Sequence, residues 1–253
     1  MVCETYFSGN SVVHRLDPRA KLVAAVAFSA VVATSYRTPV LIAALALAIA
    51  LALAAGLPAG PLWRRLAAVN AFVLLAAALL PFSTPGAPLV WVGSVPYTVE
   101  GLVLGARIAA KTNAIVLVVT ALLSTVEITR LGHAMSHLRL PSKLIHLMLM
   151  TVRYVDLLHH EYHRLATAMK VRGFRPRATL HTYRSLGNLV GMLLVRSFDR
   201  SQRIVAAMKC RGFNGRFYVL DHFRFAARDA VFAVLTVLVT AGLLVGEYAW
   251  PIR

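Results

Sequence analysis

Apolar residues gather into five long runs along this chain, at positions 22–36, 39–57, 66–82, 102–124 and 230–248. A helix that crosses a bilayer needs about 20 mostly apolar residues, each advancing about 1.5 Å across a hydrocarbon core roughly 30 Å thick. The five runs are read as spans on that ground, the first being short. Pro39, Pro58 and Pro61 stand at or just outside the ends of runs, where a missing N–H costs little. The stretch 83–101 carries Pro85, Gly86, Pro88, Gly93 and Pro96, a density of turn residues that predicts a loop.

Between the fourth and fifth runs the pattern changes. Apolar stretches at 144–152 and 186–195 are too short to span alone. Val155, Leu158, Tyr162, Leu165 and Met169 recur at helical spacing, while Asp156, His160, Glu161, Arg164 and Lys170 fall largely on other faces. This region predicts a cytoplasmic bundle of long helices lying against the membrane. The expected architecture is an all-α integral membrane protein. Residues 1–124 form an N-terminal membrane domain with four spans, 125–228 a helical domain outside the bilayer, and 229–253 a final span.

The helical region contains a duplication. Arg164-Leu-Ala-Thr-Ala-Met-Lys-Val-Arg-Gly-Phe174 and Arg203-Ile-Val-Ala-Ala-Met-Lys-Cys-Arg-Gly-Phe213 read as copies, each followed by a further arginine, Arg177 or Arg216. Each copy predicts the last turns of a helix, since Ala, Met, Lys and Leu favour helix. A glycine just past the last turn adopts the left-handed conformation at little steric cost. Two copies without a third do not make a solenoid. A pair of similar cationic helix ends instead fits a partner that offers two similar pockets.

Composition and charge place this pair. The 253 residues are 58% hydrophobic with a formal net charge of +17, and the mean hydropathy is +0.69. An ordinary soluble domain is less apolar. Arg15, Arg19 and Lys21 precede the first run, Arg64 and Arg65 lie between the second and third, and 130–228 is densely basic. The stretch after the first run has only Arg37, and 83–101 has no lysine or arginine. Basic loops stay on the cytoplasmic side, so the expected N-terminus is inside and the C-terminus outside. The start of the chain lacks a secretory pattern, and its first apolar run is expected to be retained. Cys3 and Cys210 form no disulfide framework.

Arg172 and Arg211 are the strongest candidate site residues. A guanidinium offers five donors in a rigid fork suited to carboxylates and carbonyls, and it anchors interfaces better than lysine. Lys170 and Lys209 add diffuse charge, and Gly173 and Gly212 end the helices. For a single arginine, a flank facing anionic lipid would explain as much; the shared Met-Lys-x-Arg-Gly-Phe argues for docking. His159 and His163 share a helix face, but the order His-His-Glu-Tyr-His is not the His-Glu-x-x-His of zinc proteases. No metal site is expected there, and no cofactor. Arg107 and Lys111, four apart inside the fourth run, are expected either to meet a partner subunit or to reach the outer surface. No phosphate-binding Gly-x-x-x-x-Gly-Lys-Ser/Thr loop occurs, so any ATP use belongs to another chain and this one is not an enzyme.

These residues together resemble the transmembrane T component of energy-coupling factor (ECF) transporters, in particular the cobalt-type CbiQ family. The resemblance rests on His14-Arg-Leu-Asp-Pro-Arg-Ala-Lys-Leu22, Leu138-Arg-Leu-Pro141, Val152-Arg-Tyr154, the two Arg-Gly motifs and the last span. It implies that two coupling helices dock into grooves on a pair of ABC-type ATPase subunits (CbiO-like). It also implies that the membrane part holds a substrate-binding subunit (CbiM-like, with a CbiN-like companion) in the prokaryotic cytoplasmic membrane. The family writes its motif Ala-Arg-Gly; here Val171 and Cys210 fill the alanine slots. Met208-Lys-Cys-Arg-Gly-Phe-Asn-Gly-Arg-Phe217 favours cobalt over nickel. Two other readings are a membrane-anchored binder of nucleic acid or anionic lipid, and an intramembrane metalloenzyme on His159 and His163. Neither has a use for duplicated helix ends, so membrane lipid is expected as surroundings and nucleic acid is not expected as a partner.

Overall fold

The computed structural model describes residues 11, 13–85, 88–92, 95–138, 141–214 and 227–248. Cys3, Arg139, Arg216 and the last five residues lie outside them. After a short turn at Val13–Arg15 come eight helices: α1 Pro18–Thr34, α2 Thr38–Ala54, α3 Ala59–Ser83, α4 Val99–Leu123, α5 Ile128–His137, α6 Ser142–Val171, α7 Leu180–Cys210 and α8 Ala227–Tyr248. The described residues divide into two compact units, one of 11–134 with 227–248 and the other of 135–214. The division falls within α5.

The first unit is built from α1 to α4 and α8. Asp17 caps α1, its carboxylate accepting the Arg19 N–H at 2.9 Å, and Pro18 supplies the pre-set φ of the first turn. Helices α3, α4 and α8, of 25, 25 and 22 residues, are long and apolar enough to cross a membrane. α1 and α2 have 17 residues each. All five apolar runs are therefore helical, and three meet the length of a span unaided.

The stretch between α3 and α4 departs from expectation. It holds an antiparallel hairpin, β1 Pro88–Val92 and β2 Val95–Thr98, with Val90 opposite Tyr97 and Val92 opposite Val95. Strands of five and four residues between glycines and prolines carry too short a pattern to stand out from turns. The hairpin is tied to the end of α3. The buried Thr98 hydroxyl lies 3.0 Å from both the Pro81 and Thr84 carbonyls, and Phe82 and Tyr97 meet edge to face at 5.4 Å.

The core of this unit is rich in alanine. Ala24, Ala25, Phe28 and Val32 of α1 pack with Leu41, Ala44, Ala48 and Ala52 of α2 and with Ala114, Leu117, Val118, Ala121 and Leu122 of α4. α4 packs against α1, α2 and α3, and α8 against α1 and α2. The large side chains point the other way: Ile42, Leu53, Leu75, Leu79, Val237 and Leu238 are exposed. An apolar exterior around an alanine-rich interior is what helices association in lipid produces, where close backbone approach takes over from the hydrophobic effect.

Polar side chains inside the unit are paired across helices. Asn70 of α3 and Asn113 of α4 exchange amide hydrogen bonds of 2.7 and 3.0 Å. Arg65 donates to Thr120 and Ser124 at 3.3 Å. At the α1–α2 turn, the Glu247 carboxylate of α8 accepts the backbone N–H groups of Tyr36 and Arg37.

The tightest helix contact makes a prediction. A Cβ on Gly101 would lie 2.5 Å from the Pro81 Cα and 2.8 Å from the Pro81 nitrogen. Backbone cannot yield as a flexible side chain does, so Gly101→Ala is expected to destabilise the protein by about 1–3 kcal/mol. Gly242→Ala, which meets nothing within 4 Å, serves as control and should not. Thermal unfolding in detergent measures both, and equal melting temperatures would overturn the packing argument.

Candidate functional site: two basic helix ends

The second unit contains two long helices, α6 of 30 residues and α7 of 31. Each is about 45 Å long at 1.5 Å per residue, and they pack on one another. Between them lies an apolar cavity of about 800 Å³, lined by residues including Leu157, Leu194, Phe198, Ile204 and Met208. Glu161 of α6 pairs with Arg196 of α7, and Arg164 stands 3.8 Å from the same carboxylate. The Arg196 hydrogen bond, with the charges of Arg164 and Arg200, holds Glu161 below the usual carboxylate range. Burial lowers the pKa of His146, which lines the cavity.

Both helices end in the same way. Gly173 has φ +81° and Gly212 φ +78°. The Gly173 N–H donates to the Lys170 carbonyl at 3.0 Å and the Phe174 N–H to Met169 at 3.1 Å. In α7 the Gly212 N–H donates to Lys209 and the Phe213 N–H to Met208, both at 3.0 Å. This is the Schellman closure, with glycine in the left-handed position and an apolar residue after it. The duplicated motif thus acquires a local meaning. Met supplies the accepting carbonyl, Gly turns the chain, and Phe follows as the apolar residue the closure favours. Capping geometry does not require the lysine or the arginine, although a helix C-terminus favours positive charge.

Those basic residues face outward. Lys170, Val171, Arg172, Lys209, Cys210 and Arg211 are exposed, as are Gly173 and Gly212. Among the described residues neither the Arg172 nor the Arg211 guanidinium has a hydrogen-bond or ion-pair partner. Val171 is 84% exposed, unusual for a valine with nothing to cover it. Each helix therefore presents a rigid, unneutralised Lys-x-Arg-Gly end.

The other candidates lie elsewhere. The Nε2 atoms of His159 and His163 are 2.9 Å apart on α6, at hydrogen-bond distance. Among the described residues no group of three His, Cys, Asp or Glu could hold a metal ion. In the first unit, Arg107 donates to the Thr38 hydroxyl at 3.2 Å. Lys111 donates to the Ala33 carbonyl at 3.0 Å and lies 4.4 Å from the centre of the Tyr36 ring. Both cations thus hold the α1–α2 turn. Sequence reasoning missed the buried polar cluster of Asp17, Lys21, Thr125 and Asp229. Its signal was present, since Asp17 and Lys21 belong to the opening motif and Asp229 is an acid at the edge of an apolar run.

Comparison with known proteins identifies the family. The profile of the CbiQ family, described as cobalt transport protein, matches residues 9–219. The chain belongs to the CbiQ family. It is 27% identical to the energy-coupling factor transporter transmembrane protein EcfT of Listeria innocua, covering 99% of this chain and 97% of that one. It is 30% identical to EcfT of Acidaminococcus fermentans over 83% of this chain and 82% of the relative. With EcfT of Bacillus subtilis the identity is 27%, over 85% of each. This CbiQ-family chain is accordingly a membrane protein of the transporter type, with apolar helices in its first unit and basic helix ends in its second.

The Glu161 pairing makes a pH prediction for the CbiQ-family helix pair. Because the folded-state pKa is depressed, the stabilisation is complete above about pH 4.5, the ordinary value. It is lost as pH falls through the lowered folded value. Hydrogen exchange in α6 and α7, corrected for intrinsic rates, should show wild-type protection falling in that acidic window. Glu161→Gln should start lower and lack that step. A step of equal size in the variant would assign it to another group.

Proposed function

We propose that this chain is the energy-coupling transmembrane subunit of an ECF-type ABC importer for a transition-metal ion, with cobalt favoured over nickel. In this reading α1 to α4 and α8 are five spans, the N-terminus is inside and the C-terminus outside. Residues 125–228 are the cytoplasmic coupling domain between membrane segments 1–124 and 229–253. Arg172-Gly173 and Arg211-Gly212 each dock into a groove on one of two ABC-type, CbiO-like ATPase subunits, with Lys170 and Lys209 adding charge and Val171 and Cys210 at the contact. The membrane unit carries a CbiM-like substrate-binding subunit, with a CbiN-like companion. ATP hydrolysis belongs to the partners.

One observation carries the proposal: two helices that differ outside their duplicated last turns end in the same closure and expose the same arginine, without a hydrogen-bond or ion-pair partner among the described residues. Capping accounts for the glycine, and the helix dipole favours any cation there without calling for a guanidinium. The groove on a partner gives the guanidinium a role, because a fork presented from a fixed backbone loses little entropy on docking.

Truncating a desolvated interface arginine costs about 2 kcal/mol or more, a factor of roughly thirty in affinity. Arg172→Ala and Arg211→Ala are each expected to weaken copurification of the ATPase subunits and metal uptake. The double change should come close to abolishing both, since the two contacts act as a multivalent pair. Arg175 and Arg177 should matter much less. Lysine at both positions should fail to restore assembly if fork geometry matters, and should restore it if only charge does. A double alanine variant that assembles and transports normally would exclude docking through these ends. Cobalt and nickel uptake measured in parallel decides between the ions.

Orientation has its own test. A reporter active only in the cytoplasm, fused after Arg253, should be silent, and one active only outside should respond. The reverse pattern would invert the topology or add a span.

A further inference from the structure

The opening motif places a lysine where its charge is poorly served. Lys21, in the first turn of α1, is 1% exposed. Its ammonium has three N–H donors, but among the described residues it bonds only the Thr125 hydroxyl, at 3.1 Å. Among the described residues no carboxylate oxygen lies within 4.0 Å of it. Asp229 and Asp17 act on the Lys21 charge only from beyond ion-pair distance, and each makes a hydrogen bond of its own. Asp229 accepts the Asp17 backbone N–H at 2.8 Å, and Asp17 caps α1. A buried cation with one neutral hydroxyl partner is costly, and such a group points to a missing ligand.

A polar cavity of about 260 Å³ adjoins it. His14, Lys21, Thr125, Glu127 and Arg130 contribute to its lining. The Arg130 guanidinium is exposed and has no hydrogen-bond or ion-pair partner among the described residues. Two cations therefore share one wall, and neither is ion-paired among the described residues. Glu127 adds a negative charge to the lining, which disfavours a bare dianion and suits a phosphodiester that carries its own amine or hydroxyl. The site lies where α1 begins, α4 has just ended and α5 starts, at the ends of apolar helices. On the membrane reading proposed above, that is the depth of lipid headgroups on the basic side.

We propose that the cavity between the start of α1 and the α4–α5 link is a phosphate-binding site, occupied by the headgroup of a membrane phospholipid through Lys21, Arg130 and the Thr125 hydroxyl. The ligand phosphate supplies the charge-assisted acceptors that Lys21 lacks within the protein. It also connects α1 to the α4–α5 link, so occupancy stiffens the end of the unit next to α5.

Native mass spectrometry of the purified full-length chain, released from detergent, tests this. The probes are phosphatidylethanolamine, phosphatidylglycerol and inorganic phosphate, each titrated separately. The wild type is expected to retain one phospholipid per chain, with phosphatidylethanolamine preferred. Arg130→Gln, at an exposed position, should weaken retention roughly tenfold, the loss expected for one charge-assisted hydrogen bond. Lys21→Met should weaken it at least as much, with its thermal unfolding measured alongside to show that it folds. Saturable binding of inorganic phosphate without lipid would assign the same site to a soluble phosphate. Binding of neither, or equal retention by wild type and Arg130→Gln, would overturn the proposal. The measurement uses no ATPase chain, so its failure is distinct from failure of the docking reading.

Discussion

Helix α4 touches α1, α2 and α3 together, and it does so only because the residues between them are small. Ala44, Ala48, Ala114 and Ala121 are completely buried where leucine would hold the backbones apart. In lipid, where apolar side chains gain nothing by leaving their surroundings, such closeness is the main source of helix association. The other features of the unit depend on it. The Asn70–Asn113 amide pair closes only at short interhelical distance, and Gly101 fits beneath Pro81 only without a side chain. The paired amides in turn fix the rotation of α3 on α4, because a slipped register would leave two amides unsatisfied in an apolar setting.

The second unit is held by different means. Its helices are amphipathic, with Glu161 and Arg196 joining them across the packing face and apolar side chains lining the space between. At their ends backbone conformation, rather than side-chain contacts, fixes the position of the arginines. A left-handed glycine gives the same closure whatever precedes it. With the shared Met-Lys-x-Arg-Gly-Phe, that is how α6 and α7, which differ elsewhere, arrive at one geometry.

The helices were legible in the sequence because their signals are long. Five apolar runs and an amphipathic stretch fixed the type of every major element, and the Arg-Gly copies marked two ends to the residue. The hairpin at 88–98 was not legible, since nine strand residues among prolines and glycines carry little periodicity. Arg107 and Lys111 could be seen to need partners, yet not that one partner is the Ala33 carbonyl and another the Tyr36 ring. The cluster of Lys21, Thr125 and Asp229 joins residues more than a hundred positions apart. The opening motif and the acid at the edge of the last apolar run mark Lys21 and Asp229, but their meeting comes from the packing of distant helices, which no local pattern announces.

The two helices behind the matching ends differ as mechanical parts. Between its first and last residues α6 contains no glycine or proline, whereas α7 has Gly187 and Gly191 one turn apart near its start. Uninterrupted helix resists bending, and glycine lowers the resistance where it occurs. Over a shaft of about 45 Å, a tilt of roughly 10° carries the tip about 8 Å. On the docking reading proposed above, a push at Arg172 would pass along a stiff rod, while the same push at Arg211 would reach a shaft able to flex near its far end. Identical handles on unequal levers would turn such a symmetric stroke into an asymmetric displacement.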